Sequence, residues 1–128
     1  MIVTKLTDIL NTDRDISGPG WSSRRLLLAQ DGTGFTMTDT LIKAGASLTL
    51  EYKHHVEACY CIHGQGDVTA HADGITHPIE PYTLYALNKN DRHTVRALGG
   101  DLRLVCVFNP ALSGQEVHRA DGSYAPEE

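Results

Sequence analysis

Apolar and polar residues alternate with a period of two over most of the chain, in short runs that end at glycine, asparagine or aspartate. Alternation of this kind sends successive side chains to opposite faces of an extended backbone, so each run predicts a β-strand with one face for a core. Met1 to Lys5 reads as an opening strand. Thr7 to Leu10 reads as one helical turn behind an N-cap-type threonine, and nothing else looks helical. After the break at Gly18-Pro19-Gly20, strands are expected over Trp21 to Gln30, Phe35 to Ile42, Ser47 to Lys53, Val56 to Ile62, Val68 to Ala72, Ile75 to Glu80, Thr83 to Leu87, His93 to Leu98 and Leu102 to Phe108. Asp73-Gly74 is the strongest hairpin turn among them. Asn109-Pro110 closes the last strand, and a tail from about residue 111 to Glu128 reads as irregular.

So many short strands without a long helix predict an all-β fold, a single domain over residues 1–128. An antiparallel β-barrel or two-sheet jelly roll buries both the apolar faces and the strand edges. Parity then sorts the side chains. Trp21, Ser23 and Arg25 share a face, as do Thr38 and Thr40; Glu57, Cys59 and Cys61; His93, Val95 and Ala97; and Leu104, Cys106 and Phe108. If these faces point inward, the interior is polar and aromatic at one end and apolar at the other, which is a binding cavity.

With 128 residues the chain can bury one core without disulfides. Sixteen acids against eleven bases give a net charge of −5, and the arginines are scattered, so no basic stripe exists for nucleic acid. The longest apolar stretches, such as Leu102 to Phe108, fall far short of the ~20 residues of a membrane helix. Three cysteines, Cys59, Cys61 and Cys106, form an odd set with no signal-peptide pattern ahead of them, which favours a reducing, cytoplasmic setting. Cys59 and Cys61 read as small buried hydrophobes rather than as a zinc site, because no second Cys pair follows. By default His54, His55, His63, His71 and His77 face solvent, and Arg24-Arg25 is a solvated pair.

Against this background Glu57, Tyr85 and His93 stand out. A carboxylate, a phenol and an imidazole on separate strands offer oxygen and nitrogen donors to one divalent ion and leave positions open for a substrate. The spacing from Gly45 through Glu57 to Gly64, with His93 downstream, resembles the cupin superfamily. The usual His-x-His pair falls here on Glu51 and Lys53, so Tyr85 is the substitute ligand. Four further segments carry a more specific resemblance: Gly20-Trp21-Ser22-Ser23-Arg24-Arg25, Glu57 to Gly64, Leu84-Tyr85-Ala86-Leu87 and Val105-Cys106-Val107-Phe108-Asn109-Pro110. Together they resemble the ectoine synthase family from Met1 to about Tyr124. Three positions depart from that family: Glu51 where histidine is usual, Thr38 where an amide or imidazole is usual, and Pro81-Tyr82 in place of Pro-Gly.

The resemblance implies a hydro-lyase that depends on Fe(II) and closes N-γ-acetyl-L-2,4-diaminobutyrate to ectoine, a compatible solute, with loss of water. Glu57, Tyr85 and His93 are then the metal ligands. Arg25 is expected to anchor the substrate carboxylate with Ser23, Thr38 or Thr40, while Trp21 and Phe108 form apolar walls and Cys106 packs between them. Tyr52, Glu116 and His118 are the candidates for proton transfer, the last two carried by a tail that can close over the mouth as a lid. Competing readings are another metal-dependent cupin enzyme, a dioxygenase or isomerase, and a cupin that binds a small molecule without turnover. Edge strands and the opening strand favour a homodimer.

Overall fold

Strand pairing places the inward faces of the sequence pattern opposite one another in a two-sheet jelly roll. The computed structural model describes residues 1–114. A single helical turn, α1 (Leu6–Ile9), is followed by β1 (Asp15–Gly18), β2 (Trp21–Leu27), a 3-10 turn (Ala29–Asp31), β3 (Thr36–Ile42), β4 (Ser47–Leu50), β5 (Val56–His63), β6 (Gly66–Ala70), β7 (Thr76–Ile79), β8 (Leu84–Ala86), β9 (His93–Ala97) and β10 (Leu102–Asn109). A six-stranded sheet runs β1-β2-β3-β10-β5-β8 and a four-stranded sheet runs β4-β9-β6-β7. All pairings are antiparallel, and the two sheets do not close into one barrel.

The core comes from both sheets. Ile42, Leu102 and Leu104 meet Val68, Ile79 and Val95 between them, and burying each such side chain contributes roughly 1.5–3 kcal/mol. Gly64 closes β5 at φ +88, where a Cβ would lie 2.1 Å from the Asp101 carbonyl oxygen, so only glycine fits this approach. On the outer face Asp39 accepts hydrogen bonds from Arg24 of β2 and Arg103 of β10 and ties three adjacent strands together. Burial alone would raise the Asp39 pKa. The two guanidinium groups outweigh it and hold the carboxyl below its ordinary range.

Several boundaries differ from the sequence expectation. Met1 to Lys5 is not a strand, because no strand of the described residues pairs with it, and Met1 and Val3 are exposed. β1 is a strand that Asp, Ser and Gly disguise as a turn. β2 stops at Leu27, since the Asp31 carboxylate takes the Leu28 amide (2.8 Å) and turns the chain. β4 stops at Leu50. Beyond it the Asn90 side-chain amide donates to the Tyr52 and His55 carbonyls (2.8 and 3.0 Å) and holds that loop against the cavity. At the end of β5 a bulge sets Arg103 opposite His63 and Leu104 opposite Cys61, leaving Ile62 as the extra residue. Both Ile62 and His63 consequently face outward.

Candidate active site and metal-binding groups

The inner faces of β2, β3, β5, β8 and β10 converge on a cavity of about 390 Å³, the size that holds a small metabolite. Trp21, Ser23, Thr40, Tyr52, Glu57, Tyr85, Cys106 and Phe108 all line it, with Leu48 and Leu50 of β4 as the opposite wall. Phe108 packs edge-on against Tyr52, ring centroids 5.2 Å apart. His55, expected at the surface, is buried because its ring also packs edge-on against Phe108 at 6.4 Å.

Cross-strand register explains the polar cluster. Cys106 of β10 stands opposite Cys59 of β5, Cys59 stands opposite Tyr85 of β8, and Glu57 lies two residues from Cys59 on the same face. Both thiol sulfurs lie within 4.8 Å of a Glu57 carboxylate oxygen and favour its charged form, and Tyr85 neighbours Cys59 across the strands. Burial nevertheless dominates, lifting the Glu57 pKa from 4.5 to about 7. Burial likewise pushes the Tyr85 phenol and the Cys59 thiol well above their ordinary values.

His93 is only 1% exposed. Its Nδ1 lies 2.9 Å from the Asp91 carbonyl, a bond that requires Nδ1–H and leaves Nε2 as the lone-pair atom. Nε2 is buried without a hydrogen-bond partner among the described residues. Burial, acting against the Asp91 carbonyl, lowers the His93 pKa and favours the neutral ring. The ring lies 6.4 Å from that of Tyr85, and the two residues also line a neighbouring hollow of about 580 Å³. Tyr85 therefore touches both the Glu57 cluster and His93.

The donor chemistry of these residues suits a divalent cation. A buried carboxylate that burial holds near neutrality gains a counter-charge from a cation, and an imidazole with a fixed tautomer presents an unpartnered buried nitrogen.

Arg25 and Thr38 sit beside the cavity rather than on its wall. Arg25 is 4% exposed, not a solvated residue, because its strand face points inward. Its Nη1 lies 3.4 Å from the Gly114 carbonyl, its Nε has no hydrogen-bond partner, and it forms no ion pair with a carboxylate of the described residues. Thr38 shares a 2.8 Å hydroxyl contact with Thr40. Glu116 and His118 lie outside the described residues. Cys59, read from the sequence as a small buried hydrophobe, does belong to the core at 1% exposure, and it also lines the cavity beside Glu57, with which it shares strand parity.

Comparison with known proteins follows the same lines. The family model described as "Ectoine synthase" matches residues 1–128. An L-ectoine synthase of Desulfatibacillum aliphaticivorans is 52% identical over 126 residues, covering 97% of this chain and 96% of that protein. The crystal structure of the ectoine synthase from P. lautus superposes with a TM-score of 0.89 at 50% identity, covering 95% of this chain and 87% of that one. A cupin-2 domain protein from Rhodospirillum rubrum superposes with a TM-score of 0.61 at 20% identity, over 70% of this chain and 60% of that one, a likeness of fold. With the cavity, the strand order and the full-length match in agreement, the chain belongs to the ectoine synthase family and is an enzyme of the carbon–oxygen lyase class.

Proposed function

We propose that this enzyme forms ectoine from N-γ-acetyl-L-2,4-diaminobutyrate by intramolecular cyclisation with loss of water, using Fe(II) held by Glu57, Tyr85 and His93. The observation that carries the reading is one cavity in which a buried, near-neutral Glu57 carboxyl and the Tyr85 phenol face Trp21, Ser23 and Phe108. Bound at those ligands, a ferrous ion supplies Lewis acidity toward the acetamide oxygen and needs no redox change.

The remaining work falls to the chain. Arg25, buried and without a carboxylate partner among the described residues, anchors the substrate carboxylate beside Ser23, Thr38 and Thr40. Trp21 and Phe108 hold the substrate curled, so that its α-amine nitrogen meets the acetamide carbon, and keep bulk water from the reacting atoms. The amine must give up a proton before it attacks, and the tetrahedral adduct must gain one as its hydroxyl departs as water. Tyr52, whose ring packs on Phe108, and the tail residues Glu116 and His118 are assigned these transfers, the tail acting as a lid. Cys106 packs against the substrate from the cavity floor.

The three cysteines are free, which suits a reducing cytoplasm. A homodimer is supported by the exposed Met1 and Val3 and by Leu84, 63% exposed on the short edge strand β8. No helix among the described residues is long and apolar enough to cross a membrane. The test is to mix anaerobically iron-loaded protein with N-γ-acetyl-L-2,4-diaminobutyrate and follow the mass spectrum. A product lighter by one water, formed without oxygen, is expected. Substrate bound but unchanged, or turnover that requires oxygen, would reject the proposal.

A further inference from the structure

The pairing of β5 with β10 creates a second donor set on the cavity floor. We propose that Glu57, Cys59 and Cys106 form a binding site for a thiophilic divalent cation, Zn²⁺ foremost. One carboxylate oxygen and the two Sγ atoms all lie within 4.8 Å of one another. With Zn–S near 2.3 Å and tetrahedral angles, two ligating sulfurs stand about 3.8 Å apart, so the set closes on an ion through small side-chain rotations without moving either strand. All three residues are buried, at 5%, 1% and 2% exposure, and all three line the cavity.

Two soft sulfurs and one oxygen differ in kind from the oxygen and nitrogen donors of Glu57, Tyr85 and His93. Softness, together with geometry and supply, decides which metal a site takes, and thiolates select zinc. Three protein ligands leave a fourth tetrahedral position, which a water or the Tyr85 hydroxyl beside Cys59 can fill. Cys61 is not part of the set: its thiol points to the His63 and Gly64 carbonyls at 3.5 and 3.8 Å, beyond the cavity. On binding, both thiols release their protons to solvent. The site stands whether or not the ferrous set is correct, because of its three defining ligands only Glu57 belongs to that set. Where both ions are present they compete for that one carboxylate.

The experiment uses the full chain, metal-free and reduced with a phosphine that does not bind metal. X-ray absorption at the zinc edge of the wild-type protein with one equivalent of Zn²⁺ is expected to show two sulfurs at about 2.3 Å beside lighter atoms. A shell of nitrogen and oxygen alone overturns the proposal, and this arm depends on no variant folding. With Co²⁺ as probe, a sulfur-to-cobalt charge-transfer band is expected in the wild type, in Cys61→Ser and in His93→Ala. It should vanish in the Cys59→Ser/Cys106→Ser double variant, with zinc affinity falling about 100-fold or more, since even outer-shell losses cost roughly 10–100-fold. A band or an affinity that survives the double substitution overturns the proposal. Zinc binding that disappears in His93→Ala also overturns it, while leaving the ferrous reading intact.

Discussion

Replacing Glu57 with glutamine should stabilise the metal-free protein while removing its activity. Burial raises the Glu57 carboxyl from 4.5 to about 7, so the folded chain holds this proton more tightly than the unfolded chain does. A group whose folded pKa is raised contributes stability below its unfolded pKa and loses it as pH rises through the folded one. The metal-free protein is therefore most stable, with respect to this group, below about pH 4.5 and loses up to about 3 kcal/mol by about pH 8, at roughly 1.4 kcal/mol for each pH unit. Water entering the open cavity screens the carboxylate and brings the expected loss to about 1–3 kcal/mol. Glu57→Gln keeps the shape and never ionises. It should exceed the wild type by that amount near pH 8, with the difference vanishing toward about pH 4.5. Denaturant unfolding in chelator across this range measures it. Ferrous ion under anaerobic conditions should stabilise the wild type, by about 2.7 kcal/mol at a hundred times its Kd, and leave the variant unmoved. A variant less stable than the wild type near pH 8, or a difference independent of pH, would refute the reasoning.

Other positions give equally direct outcomes. Arg25→Ala should raise KM for the substrate roughly 10- to 100-fold, the 1.5–3 kcal/mol of a charge-assisted hydrogen bond, in steady-state kinetics. Gly64→Ala drives a Cβ to 2.1 Å from the Asp101 carbonyl at φ +88, and a loss of roughly 2–4 kcal/mol is expected in denaturant unfolding. Tyr82, 77% exposed, holds φ +77 in a left-handed conformation that costs a non-glycine residue roughly 1 kcal/mol; Tyr82→Gly should recover most of it as a higher midpoint, offset slightly by losing the Tyr60 ring contact.

What could be read from the chain was whatever parity alone determines. The inward faces of β2, β3, β5, β9 and β10 follow from period-two alternation once the strands are located, and the cavity wall follows from those faces. Partner-dependent features were not legible. Met1 to Lys5 has strand composition but no strand beside it among the described residues, and β1 has turn composition but pairs with β2. His55 lies next to exposed His54 in sequence, and the Asn90 bond to its carbonyl and the packing of its ring on Phe108, both tertiary contacts, bury it. The meeting of Cys59 with Cys106 depends on the β5–β10 register across more than a third of the chain, which no local pattern carries. Tyr82 sits where the family resemblance implies glycine, and it adopts the glycine-like conformation itself rather than a different turn.

Glu57, Tyr85 and His93 are proposed to hold the catalytic ion, and an anomalous difference map at the iron edge, from crystals grown anaerobically with Fe(II), tests this most directly. We expect one peak within bonding distance of a Glu57 carboxylate oxygen, the Tyr85 phenolic oxygen and His93 Nε2. A peak bonded to other residues, or a well-ordered site without one at saturating iron, would contradict it.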